Sequence, residues 1–313
     1  MGAWLLRRVA LIGPTLLLVS LLVFALQQLL PGDPALALAG ENQDPAVIAH
    51  IRQQYHLDQP LPVRYALWLE GVLRGDLGQS IRIQRPVVEL IAEKLPVTAE
   101  LAGLALLVAL AIGVPAGVLA AVRPGSAIDH GMTMVALCGL SLPNFWLGML
   151  LILLFSVELG WLPASGYVSP RESLAQNLLT LIMPAFVLGT AFAAGIMRHT
   201  RSAMLQVLSA DYIRMARAKG LGEWRVVLRH GLRNALIPVV TLVALDLGAL
   251  LSGAVLTEQV FSIPGFGKLI VDAVFNRDYA VVQGVVMCSA LAYLLLSFAA
   301  DIAYLMLNPR LLP

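Results

Sequence analysis

Charged side chains are scarce in this chain: they make up 13% of its 313 residues, while 59% are hydrophobic. Soluble domains carry about 25% charged and about 45–50% apolar residues. So much apolar surface exceeds what one buried core can hide, and lipid is the medium that can cover the rest. Cysteine is nearly absent. Cys138 and Cys288 both lie in apolar runs, with no C-x-x-C and no Cys/His cluster at metal-ligand spacing. Both are expected to be small buried hydrophobes. His50, His56, His130, His199 and His230 are scattered, and none pairs at helical metal-binding spacing. No metal site is expected.

Catalytic motifs are missing as well. The chain has no G-x-x-x-x-G-K-[ST], no H-E-x-x-H and no G-x-S-x-G. The nearest approach to a phosphate loop, Gly265-Phe266-Gly267-Lys268, ends in Leu269 and reads as a turn. No catalytic residue and no cofactor is expected on this chain. The net charge of +2 gives no argument for nucleic acid.

What is present is a series of long apolar runs. Six can cross roughly 30 Å of hydrocarbon at about 1.5 Å per residue: Val9 to Leu30, Val97 to Val122, Met132 to Val157, Leu178 to Met197, Ala235 to Leu256, and Ala280 to Leu307. The fold class expected is an all-α membrane protein with six transmembrane helices. The interior prolines Pro115, Pro143 and Pro184 are tolerable there, because neighbouring helices re-satisfy freed backbone groups. The first run follows Arg7 and Arg8, and Ala35-Leu36-Ala37 resembles a cleavage site. At about 22 residues the run is longer than the 7–15 of a signal core, so it is expected to stay as an anchor.

Basic residues orient the spans. With the N-terminus inside, the inner segments hold twelve Lys and Arg, and the two short outer loops hold Arg171, Lys268 and Arg277. Both termini are therefore expected in the cytoplasm. The expected organisation is an N-terminal segment and first span over 1–30, and an extracytoplasmic segment over 31–96. A five-helix core follows over 97–307, containing a cytoplasmic loop at 198–234, and a tail over 308–313 ends the chain. In the outer segment, Asp44-Pro45 reads as a helix cap followed by proline at the first helical position. Further short helices are expected over Pro62 to Arg74, stopped by Gly75, and over Pro86 to Leu95. The last carries Val87, Leu90 and Ile91 on one side and suits the membrane interface or a docking surface.

The loop at 198–234 holds eight basic residues and two acidic ones, Asp211 and Glu223. It reads as a helix, a break at Gly220 and a second helix. Ser209 or Asp211 is expected to cap the first helix. Tyr212, Met215 and Ala216 fall on one side, while Arg214, Arg217 and Lys219 project elsewhere. By composition alone it would be a basic anchor resting on anionic headgroups.

The residue pattern adds more. Leu208 to Gly220, with Leu221-Gly222-Glu223-Trp224-Arg225 and His230 to Pro238, resembles the EAA loop of ABC-importer permeases, in the variant of the dipeptide, oligopeptide and nickel branch. The resemblance runs along nearly the whole chain, through Leu30-Pro31-Gly32-Asp33-Pro34, Leu57-Asp58-Gln59-Pro60-Leu61, Gly75-Asp76-Leu77-Gly78 and Ser141-Leu142-Pro143-Asn144-Phe145. It continues through Thr257-Glu258-Gln259-Val260-Phe261, Arg277-Asp278-Tyr279 and Asn308-Pro309-Arg310. Arg214 and Arg233 align where the general EAA pattern has its glutamate and late proline, so the glutamate contact cannot be carried over.

This resemblance implies a permease subunit in a bacterial cytoplasmic (inner) membrane. It implies a related second permease, two cytoplasmic ATPases that bind ATP and Mg, and an extracytoplasmic substrate-binding protein. The helix over Asp211, Tyr212, Met215, Ala216, Arg217, Lys219 and Gly220 would seat in an ATPase groove. The permeases would open alternately to each side. Short peptides are the first expectation for cargo. Nickel or a metal chelate is the alternative, since Leu142 to Leu147 and Phe275 to Tyr279 lie closer to nickel permeases. A passive channel or secondary transporter is a reading of another class, and neither needs such a loop.

Intramembrane charges are functional candidates by default. Asp246, in the middle of the fifth span, is a candidate for the translocation path. Glu258 and Asp301 are candidates for structural or gating roles. The basic-residue count yields a direct test. Cysteines at Ser165 and Ser262, in a background lacking Cys138 and Cys288, should react with an impermeant thiol reagent outside intact cells. A cysteine at Ser209 should react only after the membrane is opened, and labelling of Ser209 from outside would invert the topology.

Overall fold

A computed structural model describes residues 2–27, 35, 44–54 and 57–307. The described residues are overwhelmingly helical, and their one β feature is an isolated bridge between Gln79 and Pro86. The helices are α1 (Gly2–Gln27), α2 (Pro45–Gln54), α3 (Leu61–Leu73), α4 (Val87–Val122), α5 (Ala127–Ser141), α6 (Asn144–Leu151), α7 (Leu174–Leu208), α8 (Asp211–Ala218), α9 (Glu223–Arg225), α10 (Arg233–Gly253), α11 (Val255–Val260), α12 (Phe266–Phe275) and α13 (Tyr279–Leu307). Two π-helical segments, Ile152–Glu158 and Val226–Leu232, follow α6 and α9. The chain forms two compact units, one from residues 1–97 and 265–294, the other from 98–264 and 295–313.

Among the described residues, four helices are long and apolar enough to cross a membrane, or five if one bent pair counts as a span. The third expected run departs from expectation. Met132 to Val157 is not one straight span, because α5 and the helix from Asn144 to Glu158 meet at 97°. Pro143 lacks an N–H and bars the residue before it from the helical region. Leu142 is accordingly extended, with φ −81° and ψ 126°. Of the first run, α1 covers every described residue, from Val9 to Gln27. Residues 28–30 lie outside the described residues, as do the motifs at 30–34 and 308–310.

In the first unit, α3 lies on α1 through aromatic rings. Phe24 meets Tyr65 edge-on at 5.4 Å, and the Tyr65 hydroxyl lies 2.7 Å from Ser20 Oγ. Asp44 caps α2 as expected, its Oδ1 accepting the Ala46 N–H at 2.9 Å. The short helix expected over Pro86 to Leu95 is not separate. It is the start of α4, which runs unbroken through Pro96. Val87, Leu90 and Ile91 are buried against Phe266, Leu269 and Val281, and Cys288 is half-buried beside them. That packing holds the helical turn on which Pro96 rests. Gly265 to Leu269 opens α12 with Gly265 as its cap, so it is a helix start and not a turn. Asp278, almost fully buried, accepts a hydrogen bond from Ser80 Oγ at 2.5 Å and so pins the loop before α4.

In the second unit, α4 and α7 approach until backbone meets backbone. A Cβ on Gly113 would sit 2.7 Å from the Ala193 carbonyl oxygen, and one on Gly117 at 2.7 Å from that of Met197. Reciprocally, a Cβ on Gly189 would sit 2.7 Å from the Ala105 carbonyl oxygen. Gly113 and Gly117 form a G-x-x-x-G, the spacing that lets membrane helices pack closely. Gly117→Val should therefore overpack this seam, at a cost of roughly 1–3 kcal/mol or more. The expected result is a lower melting temperature and yield of purified protein. Gly103→Ala, at a glycine with open space around it, should match wild type.

Candidate coupling loop and intramembrane charges

Only Ser209 and Ala210 separate α7 from α8. The cap of α8 corrects the expectation. Ala210 is the N-cap and no side chain caps the helix; Asp211 is its first residue, and Ser209 Oγ donates to the Gln206 carbonyl. The second end follows the expectation. Gly220 has φ +78°, in the left-handed region that costs other residues roughly 1 kcal/mol or more. Gly220 N–H donates to the Arg217 carbonyl at 2.9 Å and Leu221 N–H to that of Ala216 at 3.4 Å. This is the paired ending of a Schellman motif.

The faces of α8 also differ from the expectation. Ile213 is fully buried and Ala216 nearly so, both against Val226. Tyr212 and Met215 do not share that face; they are 43% and 60% exposed. The helix has two apolar stripes, and Val226 selects the one that it covers. Across the Gly220 corner, Arg217 donates to both oxygens of Glu223, at 3.1 and 2.6 Å. The pair holds the Arg217 guanidinium proton more firmly than usual, but both groups are well exposed, so it stabilises by at most about 1 kcal/mol. Arg214 pairs with Asp211 at 3.3 Å, and Lys219 caps the helix end. Asn234, just inside α10, donates to the Tyr212 hydroxyl at 2.9 Å. So α8 is tied to α10 at one end and to α9 at the other, while Tyr212 and Met215 face outward. A Cβ on Gly220 would meet nothing within 4 Å, so that corner is open to a partner.

Sequence reasoning missed a part-buried ion pair near this loop. Arg201 of α7 donates to both oxygens of Asp129 on α5, at 2.6 and 2.7 Å, and the Gly125 N–H donates to the same carboxylate at 2.9 Å. The two residues stand far apart in the chain, so neither run nor spacing announces them.

The intramembrane acids occupy three environments. Glu258 on α11 is fully buried and accepts a hydrogen bond from Thr98 Oγ1 at 2.5 Å. Its carbonyl accepts the Ile263 N–H at 2.9 Å and closes the turn before Pro264. Asp301 is half-buried on α13. Asp246 is half-buried on α10, with His199 of α7 near enough to act on it electrostatically. The structure does not bring these three acids together into one site. Among the described residues, no three His, Cys, Asp or Glu side chains are grouped to hold a metal. Cys138 is exposed on α5, contrary to the buried place expected for it.

Known proteins place this arrangement. Residues 113–313 match the family described as the binding-protein-dependent transport system inner membrane component, and residues 1–102 match the N-terminal part of such membrane components. The chain belongs to this family of inner membrane permeases. It is 45% identical over 332 residues to the di/tripeptide transport system permease protein DppB of Pseudomonas aeruginosa, covering 99% of both chains. It is 43% identical over 314 residues to the oligopeptide transport system permease protein AppB of Bacillus subtilis, again covering 99% of both. The dipeptide transport system permease protein DppB of Escherichia coli is 43% identical over 332 residues, with 98% of each chain covered. Among solved structures, the inward-facing MetNI methionine ABC transporter matches with a TM-score of 0.57 and 21% identity, over 70% of this chain and 96% of that one. That likeness shows the fold.

Asp246 yields a test of its own, since a carboxylate in hydrocarbon needs water or a partner. Asp246→Asn should leave the amount of assembled complex close to wild type and lower substrate uptake several-fold. Radiolabelled uptake normalised to complex content measures it. Reduced assembly with normal uptake per complex would make Asp246 a structural residue instead.

Proposed function

We propose that this chain is the six-span permease subunit of an ATP-driven importer, moving short peptides from an extracytoplasmic binding protein into the cytoplasm. The observation that carries this reading is the pairing of full-length similarity to peptide permeases with the two-faced helix α8. Both termini lie in the cytoplasm on this reading, and α1 and the bent pair supply the first and third crossings. A related second permease and two ATPases that bind ATP and Mg complete the complex. This chain supplies no nucleotide site.

The geometry of α8 suits mechanical coupling. Tyr212, Met215 and the open Gly220 corner are offered to the groove of an ATPase. Ile213 and Ala216 are fixed to Val226, and Tyr212 to Asn234 at the head of α10. When the ATPases close on ATP, a displacement of α8 passes to α10 through these contacts and to α7 through the two-residue link. The helices that carry Asp246 and His199 then shift together, and the path opens alternately to each side. Family membership supports this over a passive channel or a secondary transporter. Peptides are favoured over nickel because the relatives above are named for peptides.

Gly220→Val tests the coupling. It places a β-branched side chain where a left-handed backbone is required, yet touches no span. Membrane insertion should survive, while ATPase association, or stimulation of hydrolysis by peptide-loaded binding protein, falls at least several-fold. Gly222→Ala on the same loop, where φ is −59°, should behave as wild type. Purified complexes assayed for subunit ratio and ATP turnover give the answer. Wild-type values for both in Gly220→Val would leave this loop as a basic anchor.

A further inference from the structure

Beside the coupling loop runs a groove that the transport reading does not use. Two hollows of about 330 and about 280 Å³ share Leu119 of α4 and Trp224 of α9. The smaller one has an entirely apolar lining that includes Val114 and Pro115 of α4 and Leu228 of the π-helical segment. The other opens past Leu119 to Arg123 and Glu223. Glu223 is engaged by Arg217 at 2.6 and 3.1 Å. The charge left at the mouth is that of Arg123, which is exposed and has no ion-pair partner among the described residues. Arg225 and Arg229, also exposed, follow Trp224 in the chain.

Trp224 stands at the junction of the apolar floor and this charge, 62% exposed. An indole has an apolar body and one N–H donor, a combination enriched at headgroup depth in membranes. The floor belongs to the apolar run of α4, which is long enough to cross the bilayer. Whatever fills the groove must therefore reach into hydrocarbon, which a water-soluble subunit cannot do. It must also satisfy a cation where the hydrocarbon ends. We infer that this groove is a binding site for an anionic phospholipid, with one acyl chain lying along Val114 to Leu119, the phosphate on Arg123, and the Trp224 indole at the boundary between them. Basic pockets at the ends of membrane helices take such headgroups by the same charge complementarity. The inference does not depend on what the permease carries.

The test uses the whole complex, reconstituted in nanodiscs of equal parts phosphatidylglycerol and phosphatidylcholine and then examined by native mass spectrometry. Wild type should retain phosphatidylglycerol in preference to phosphatidylcholine, and Arg123→Gln should reduce that preference about fivefold. Trp224→Ala should reduce retention of both. A second measurement does not rely on these variants reaching full yield. Chain-brominated phosphatidylglycerol should quench wild-type tryptophan fluorescence more than that of Trp224→Phe. Equal retention of the two lipids by wild type, or an unchanged ratio in Arg123→Gln, would overturn the assignment. So would equal quenching in wild type and Trp224→Phe, or a photo-crosslinker at position 224 that captures a permease or ATPase subunit and no lipid.

Discussion

Helices in hydrocarbon gain little by hiding apolar side chains from lipid tails that are equally apolar, and their association rests on close packing. The seam between α4 and α7 meets this constraint by giving up side chains. Gly113 and Gly117 on one helix and Gly189 on the other bring carbonyl oxygens to within 2.7 Å of where a Cβ would be. The clusters of Ile196 with Val239 and of Met204 with Val118 and Val227 form around that seam. They fix α10 and the π-helical segment against α4 and α7. Every part of the coupling loop hangs from this frame.

Two polar contacts then convert a packed frame into a directed one. The Asp129–Arg201 pair clamps α5 to α7 a short way before α7 ends. At the other end of the α4 apolar run, Thr98 and Glu258 bond inside the protein where water is excluded. Both pairs consist of groups that hydrocarbon would otherwise penalise heavily. Their burial keeps charge away from lipid while joining segments remote in the chain.

Much of this was readable from residue order, for definable reasons. Apolar runs appear in sequence because burial in lipid is a property of composition, and Asp44-Pro45 and Gly220 announce their roles through the backbone shapes that these residue types favour. The readings that changed all depended on a neighbour far away in the chain. Pro96 fails to start a new helix because Val87 and Leu90 pack on α12 and α13. Pro143 breaks the chain by 97°. The buried stripe of α8 is Ile213 and Ala216 because Val226 covers it, and no helical periodicity distinguishes that stripe from Tyr212 and Met215. The Gly113/Gly117 spacing was visible in the chain, but the acceptor carbonyls on α7 gave it meaning.

The π-helical segment Val226–Leu232 has a further consequence. A turn of this kind winds one residue more than an α-turn would, so it holds a surplus residue between the loop and α10. One residue of α-helix corresponds to about 100° of rotation. The angular setting of the whole of α10 about its own axis, including the direction in which Asp246 leaves it, is thus stored in a single extra position at its root. Were the segment to relax to α-geometry with that residue retained, every side chain of α10 beyond it would turn by about 100° about the helix axis.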